Sequence, residues 1–166
     1  IENCGPNASA HWGYITKLPP YYENVEYKEH SIIIRDSYDP NEKTNEPTGV
    51  GANSLIKHKV PLNYTIHFQN TGNDTAYKVI ILDSLSKKLD LTTLMIGGAS
   101  APVSIKFTGG EIPVVNFIFD KINLVDSFTD EKKSHGFVSY SIMPYDSIAN
   151  GTIIKNVADI YFDYNP

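Results

Sequence analysis

The stretch from Pro61 to Gln69 restricts the fold more than any other part of the chain. Leu62, Tyr64, Ile66 and Phe68 alternate with Asn63, Thr65, His67 and Gln69. Apolar side chains at every second position give a strand with one buried face and one wet face. Asn70-Thr71-Gly72-Asn73-Asp74 follows, a turn sequence in which Gly72 and Asn73 both tolerate positive φ. A second strand over Tyr77–Leu82 then predicts a hairpin. Further strands are expected at Val103–Phe107, Val114–Phe119, Gly136–Ile142, Thr152–Lys155 and Ala158–Phe162. Val138, Tyr140 and Ile142 share one face. Turn signals separate them at Gly109-Gly110, Asp126-Ser127, Pro144-Tyr145-Asp146 and Asn150-Gly151, the last a hairpin signal. No segment carries a helical stripe; Asp83–Leu94 has room for one turn at Ser86-Lys87-Lys88. Roughly seven or eight short strands with turns between them predict an all-β, antiparallel immunoglobulin-like sandwich.

The lead-in differs. Pro6, Pro19-Pro20, Tyr21-Tyr22 and scattered charges show no sustained period, so residues 1–35 read as an irregular leader, a linker or the tail of a preceding domain. Ile32-Ile33-Ile34 reads as a buried or entry segment, and 36–166 as the sandwich. With 166 residues, of which 41% are hydrophobic and 20% charged, the chain has material for one core. It carries 14 basic and 19 acidic side chains, a net charge of -5. That balance argues against nucleic acid, which selects basic stripes, and against anionic membrane surfaces. No apolar run nears the roughly 20 residues that span a bilayer. The single cysteine, Cys4, excludes an internal disulfide, and a start at Ile1 suggests a fragment of a larger protein.

Candidate sites are few. Asp36, Asp39, Asn41 and Glu42 crowd oxygen ligands into one short segment, and calcium takes six to eight such ligands. The same residues also suit a type I turn, with Asp39 at its first and Pro40 at its second position. Asp126, Asp130 and Glu131 form a second acidic group, read as a solvated loop beside Lys132-Lys133. Asp159 and Asp163 lie four apart on the last strand, where one of them can meet the 36–42 loop across the sandwich. The calcium expectation therefore rests on Asp36, Asp39, Asn41, Glu42 and Asp163. Trp12, Tyr14, Tyr21 and Tyr22 cluster in the leader and are the candidates for a carbohydrate platform; Tyr64, Phe68, Tyr140 and Phe162 belong to the core. The five histidines show no metal spacing, and no nucleophile elbow or phosphate loop occurs. No catalytic residue is expected.

PLNYTIHFQNTGNDTAYKVIILDSL at 61–85 resembles the core of bacterial conserved-repeat domains, Tyr-x-Ile-x-x-x-Asn-Thr-Gly followed by an apolar strand and Asp-Ser/Thr-Leu. SYDPNEK at 37–43, FQNTGNDTA at 68–76, DSFTDEKKSHGFVSY at 126–140 and NVADIYFDYNP at 156–166 stand in an order similar to a domain of uncharacterised function in secreted Bacteroidota proteins. In that family the domain commonly precedes a C-terminal type IX secretion sorting domain. The match covers about 36–166; the first 35 residues resemble the family's lead-in only loosely, mainly through Trp12 and the Pro-rich stretch after it. The resemblance implies an immunoglobulin-like sandwich, export to the cell surface or medium, and no enzyme activity.

These readings converge on a structural or interaction module, a calcium-stabilised spacer in an exported multidomain protein. Its partners are expected to be neighbouring domains of the same chain and a cell-surface protein or polysaccharide. The alternative is a carbohydrate-binding accessory module. A hydrolase would need convergent titratable groups in a pocket.

Overall fold

In the computed structural model, residues 40–163 are described together with two short strands, β1 (Ala10–His11) and β2 (Tyr14–Ile15). The chain divides into two compact units, Ile1–Ser37 and Tyr38–Pro166. In the first, β1 and β2 pair antiparallel, with His11 opposite Tyr14.

The second unit contains eight strands: β3 (Glu42–Glu46), β4 (Leu62–Gln69), β5 (Ala76–Ser84), β6 (Leu89–Ala99), β7 (Ser104–Thr108), β8 (Val114–Leu124), β9 (His135–Pro144) and β10 (Val157–Phe162). They form two four-stranded antiparallel sheets, ordered β3-β4-β9-β6 and β10-β5-β8-β7. The alternation along β4 and β9 does what period two demands. Leu62, Tyr64, Ile66 and Phe68 are buried, as are Val138, Tyr140 and Ile142 on the neighbouring strand. From the facing sheet Val79, Ile81, Val115, Phe117 and Phe119 complete one continuous core. Burial of this apolar surface is the main stabilising term of the fold. The expected sandwich is the observed one.

Packing is tightest where Phe68 lies opposite Gly136. The Phe68 ring rests on the glycine so closely that a Cβ there would sit 2.3 Å from ring carbons. The ring also meets Phe119 at 5.3 Å between centroids and the edge of Phe162 at 6.4 Å.

Several local expectations are corrected. β4 and β5 do not form a hairpin; they belong to different sheets, and residues 70–75 arch between them. Gly72 is not in the left-handed region. Its amide donates to Asn70 Oδ1 at 3.1 Å, and a Cβ on Gly72 would crowd that same oxygen. Asn70 is buried and organises the arch. Its Nδ2 donates to the Asp74 and Leu124 carbonyls at 2.8 Å each. Asn150-Gly151 makes a turn, with Gly151 at φ 80°, but the chain beyond it crosses to the other sheet. Thr152–Lys155 is not a strand. The hairpin at Gly109-Gly110 is real and joins β7 to β8. Two strands of the sandwich escape the period-two reading, as do the short β1 and β2 of the leader. β3 is a polar edge strand, EKTNE, and β6 breaks register with β9 between Asp90 and Met95 and again between Ile96 and Ala99. Ile32–Ile34 lies outside the described residues.

Candidate functional site

Strand β5 continues its alternation of buried residues from Val79 and Ile81 through Asp83, and Leu85 is buried just beyond it. A carboxylate thus occupies a core position and is 0% exposed. Pairing places Asp83 between Ala158 of β10 and Val115 of β8, so it projects from one sheet toward the other. There it meets Lys43, the inward-leaning residue of edge strand β3, at 2.6 Å between Lys43 Nζ and Asp83 Oδ1. The lysine side chain is only 14% exposed.

Two aromatic rings of the first sheet wall this pair. Tyr64 and Tyr140 face each other across β4 and β9, their rings 5.2 Å apart. The Lys43 ammonium stands 4.8 Å from the Tyr64 ring centre and 5.7 Å from that of Tyr140, within cation–π reach. Tyr140 also stacks on Phe117 of the opposite sheet, at 5.7 Å. Its hydroxyl is the hub of the cluster. It donates to Asp83 Oδ2 at 2.6 Å, accepts from Lys43 Nζ at 3.3 Å and accepts from Asn156 Nδ2 at 2.9 Å. Asn156 stands immediately before β10. Its Oδ1 is buried and has no hydrogen-bond partner, alone in this among the side-chain atoms of the described residues.

Burial governs the electrostatics. It pushes the Asp83 carboxyl above its ordinary range, and the Lys43 charge and hydrogen bond only partly offset this. It pushes Lys43 down, against the opposing pull of Asp83. The Tyr140 phenol is driven far up by burial and then by the adjacent carboxylate, and stays protonated. Tyr64 is raised, chiefly by burial. Desolvation of both charges works against the ion pair, and hydrogen bonds to the remaining lone pairs hold it together.

This cluster was not foreseen from the sequence. Its signal lay in the period of β5: an aspartate two residues after Ile81 and two before Leu85 falls on the core face. Tyr140 was expected in the core and is there, with a polar role as well.

Of the expected calcium residues, Asn41, Glu42 and Asp163 are described. Asp36 and Asp39 lie outside the described residues. Asn41 Oδ1 accepts from the Gln69 amide at 3.3 Å, and Glu42 is exposed on β3. Asp163, at φ 52°, spends Oδ1 on the amides of Tyr77 and Lys78, at 2.8 and 2.7 Å, where the register of β5 against β8 shifts. Asp159 does line a shallow groove with Asn41, Glu42 and Lys43. Among the described residues no group of three or more His, Cys, Asp or Glu side chains is placed to hold a metal. The second acidic group is local turn chemistry. Asp126 is buried and accepts from the Phe128 and Thr129 amides and, at 2.6 Å, from the Thr129 hydroxyl. That hydroxyl leads the bonds holding its carboxyl below the usual range. Asp130 caps the 3₁₀ turn Glu131–Lys133. The side chains of Trp12, Tyr14, Tyr21 and Tyr22 lie outside the described residues.

Among solved structures, the chain is similar to the Corynebacterium diphtheriae major pilin SpaA, whose structure points to a modular pilus assembly stabilizing isopeptide bonds. The TM-score is 0.48 at 17% identity over 74% of this chain and 31% of the pilin. It is also similar to the collagen-binding domain of the Erysipelothrix rhusiopathiae surface protein RspB, with TM-score 0.38, 17% identity and coverage of 76% and 40%. The collagen-binding domain of a Staphylococcus aureus adhesin gives 0.37 at 11% identity over 77% of this chain and 100% of that domain. The chain thus spans well under half of the first two. No curated protein sequence matches it. One family model does match, over residues 39–166, and the chain belongs to that family, the Domain of unknown function (DUF7619).

Proposed function

We propose that this chain is a non-catalytic structural module of an exported protein, a β-sandwich that spaces or presents its neighbours at the cell surface. The observation that carries the reading is how its buried polar chemistry is used. Asp83, Lys43, Tyr140 and Asn156 bind one another between the two sheets, joining the first strand of the sandwich to the segment before the last. Such an arrangement ties a scaffold together. The net charge of -5 and the acidic pI near 5.5 suit a soluble surface module better than a nucleic-acid partner. Export by a type IX route in a Bacteroidota host follows from the resemblance at 36–166 and belongs to the same proposal.

The carbohydrate alternative asks for a flat row of aromatics. The exposed ones among the described residues are Tyr77, Phe107, Phe128, Phe137 and Tyr145, spread over three strands and two loops. A glycan array probed with the whole chain decides between the readings. A scaffold gives no saturable binding, whereas a saturable polysaccharide signal replaces the spacer by a carbohydrate module. Antibodies to the chain should label intact cells of the source organism; signal only after lysis would remove export. Calcium at the 36–42 segment remains part of the proposal, and coincident melting curves in calcium and in EDTA would remove it.

A further inference from the structure

We propose that Lys43 and Asn156 are the two halves of an intramolecular isopeptide cross-link that the folded chain forms by itself, with Asp83 and Tyr140 handling the protons. The proposal stands independently of the surface-module reading and rests on four features of the cluster.

The amine and the carboxamide are neighbours across a single oxygen, since Lys43 Nζ and Asn156 Nδ2 both bond Tyr140 Oη, at 3.3 and 2.9 Å. A carboxylate sits on the amine at 2.6 Å. Moving one proton from Lys43 to Asp83 gives a neutral amine and a carboxylic acid without changing the net charge of the site. Burial favours that neutral pair, raising the carboxyl and lowering the amine. An uncharged, desolvated lysine amine is a nucleophile. Finally, Asn156 Oδ1 is buried without a partner. An ordinary structural asparagine would satisfy that oxygen.

The chemistry balances. The Lys43 ammonium gives one proton to Asp83 Oδ1, and the freed Nζ lone pair attacks Cγ of Asn156. The Nζ–Cγ bond forms and the Cγ–Nδ2 bond breaks. A second proton leaves Nζ and reaches Nδ2 by way of Tyr140 Oη, which touches both nitrogens. The products are a secondary amide, a protonated Asp83 and one ammonia. No oxidant, reductant or cofactor enters. Two buried opposite charges become neutral groups, and escape of ammonia makes the step irreversible. It occurs once per chain and acts on no external substrate.

Intact-mass spectrometry of the purified chain is the test. The expected mass is lower than the sequence mass by one ammonia, and a digest should contain a branched peptide joining Lys43 to Asn156. Lys43→Arg and Asp83→Asn should restore the full mass. Full mass in the parent chain, with Lys43 and Asn156 on separate linear peptides, would overturn the proposal and leave a purely ionic cluster. Ammonia loss that persists in Lys43→Arg and maps to Asn150-Gly151, a dipeptide prone to cyclise, would overturn it equally. The parent measurement stands even where a variant fails to fold. Tyr140→Phe keeps the ring and removes the relay. On refolding, the unreacted parent chain should reach the lighter mass roughly tenfold or more faster than this variant; equal rates would overturn the relay.

Discussion

Asp83 concentrates the electrostatic risk of the molecule. Its carboxylate is fully buried, and Lys43 and Tyr140 both bond it. Truncation to Asp83→Ala strands the Lys43 ammonium between two tyrosine rings, and breaking a buried pair in this way costs roughly 3–5 kcal/mol. Urea titration should therefore show at least about 3 kcal/mol of lost stability; a loss under about 1 kcal/mol would mean that water reaches the lysine. Asp126 behaves in the opposite sense. Bonds from Thr129 and Phe128 hold its folded pKa below the ordinary 3.8. A depressed carboxyl adds stability that is fully present above its unfolded value and disappears as pH falls through the folded one. Asp126→Asn should accordingly melt below the parent at neutral pH, and the gap should close below 3.8. A gap independent of pH would assign the effect to geometry alone. For Asp83, raised by burial, the linkage reverses, because acid relieves the desolvation of its charged form.

At the scale of elements, the pairing of β4 with β9 sets the core. Phe68 needs the missing side chain of Gly136, and the two residues face each other across the ladder. Gly136→Ala should cost about 1–3 kcal/mol by overpacking. Phe68→Ala, which empties the same space, should cost about 3–5 kcal/mol. If the double variant loses markedly less than the sum of the singles, the two residues share one site; strict additivity would refute the contact. Strands β3 and β10 each close one edge of their sheet, and both bring residues of the cluster into place. β3 was unreadable because a polar edge strand has no apolar period, and edges are kept polar to prevent pairing between molecules. β6 was unreadable because two register shifts reset its alternation.

For the whole molecule, the proposed bond between Lys43 and Asn156 would close a loop of about a hundred residues, which by the loop-closure entropy known for disulfides adds roughly 4–5 kcal/mol. It would link the first and last strands of the sandwich, so tension applied between them would bypass the hydrogen-bonded core. Lys43→Arg retains the cation but has no nucleophilic amine. Its denaturation midpoint should fall well below that of the parent, and pulling on single molecules should extend it fully, whereas the parent should stop short by the length of the closed loop. Equal extension of both chains would deny the covalent link.

The amino-acid sequence by itself determined the all-β class, the core faces of β4 and β9 and the absence of an internal disulfide, because alternation and composition are local properties that survive without neighbours. The motifs at 37–43, 61–85, 126–140 and 156–166 also carried the family. Tertiary structure decided which strands share a sheet. The Asn70 arch and the Asn150-Gly151 turn look like hairpin loops, yet each leads from one sheet to the other, because the two inner faces must cover each other. It also decided the site. Lys43, Asp83, Tyr140 and Asn156 are scattered along the chain and lie in or beside four strands, two in each sheet. Only the closure of one sheet on the other brings them within hydrogen-bond distance, and only burial there shifts the amine and the carboxyl toward each other.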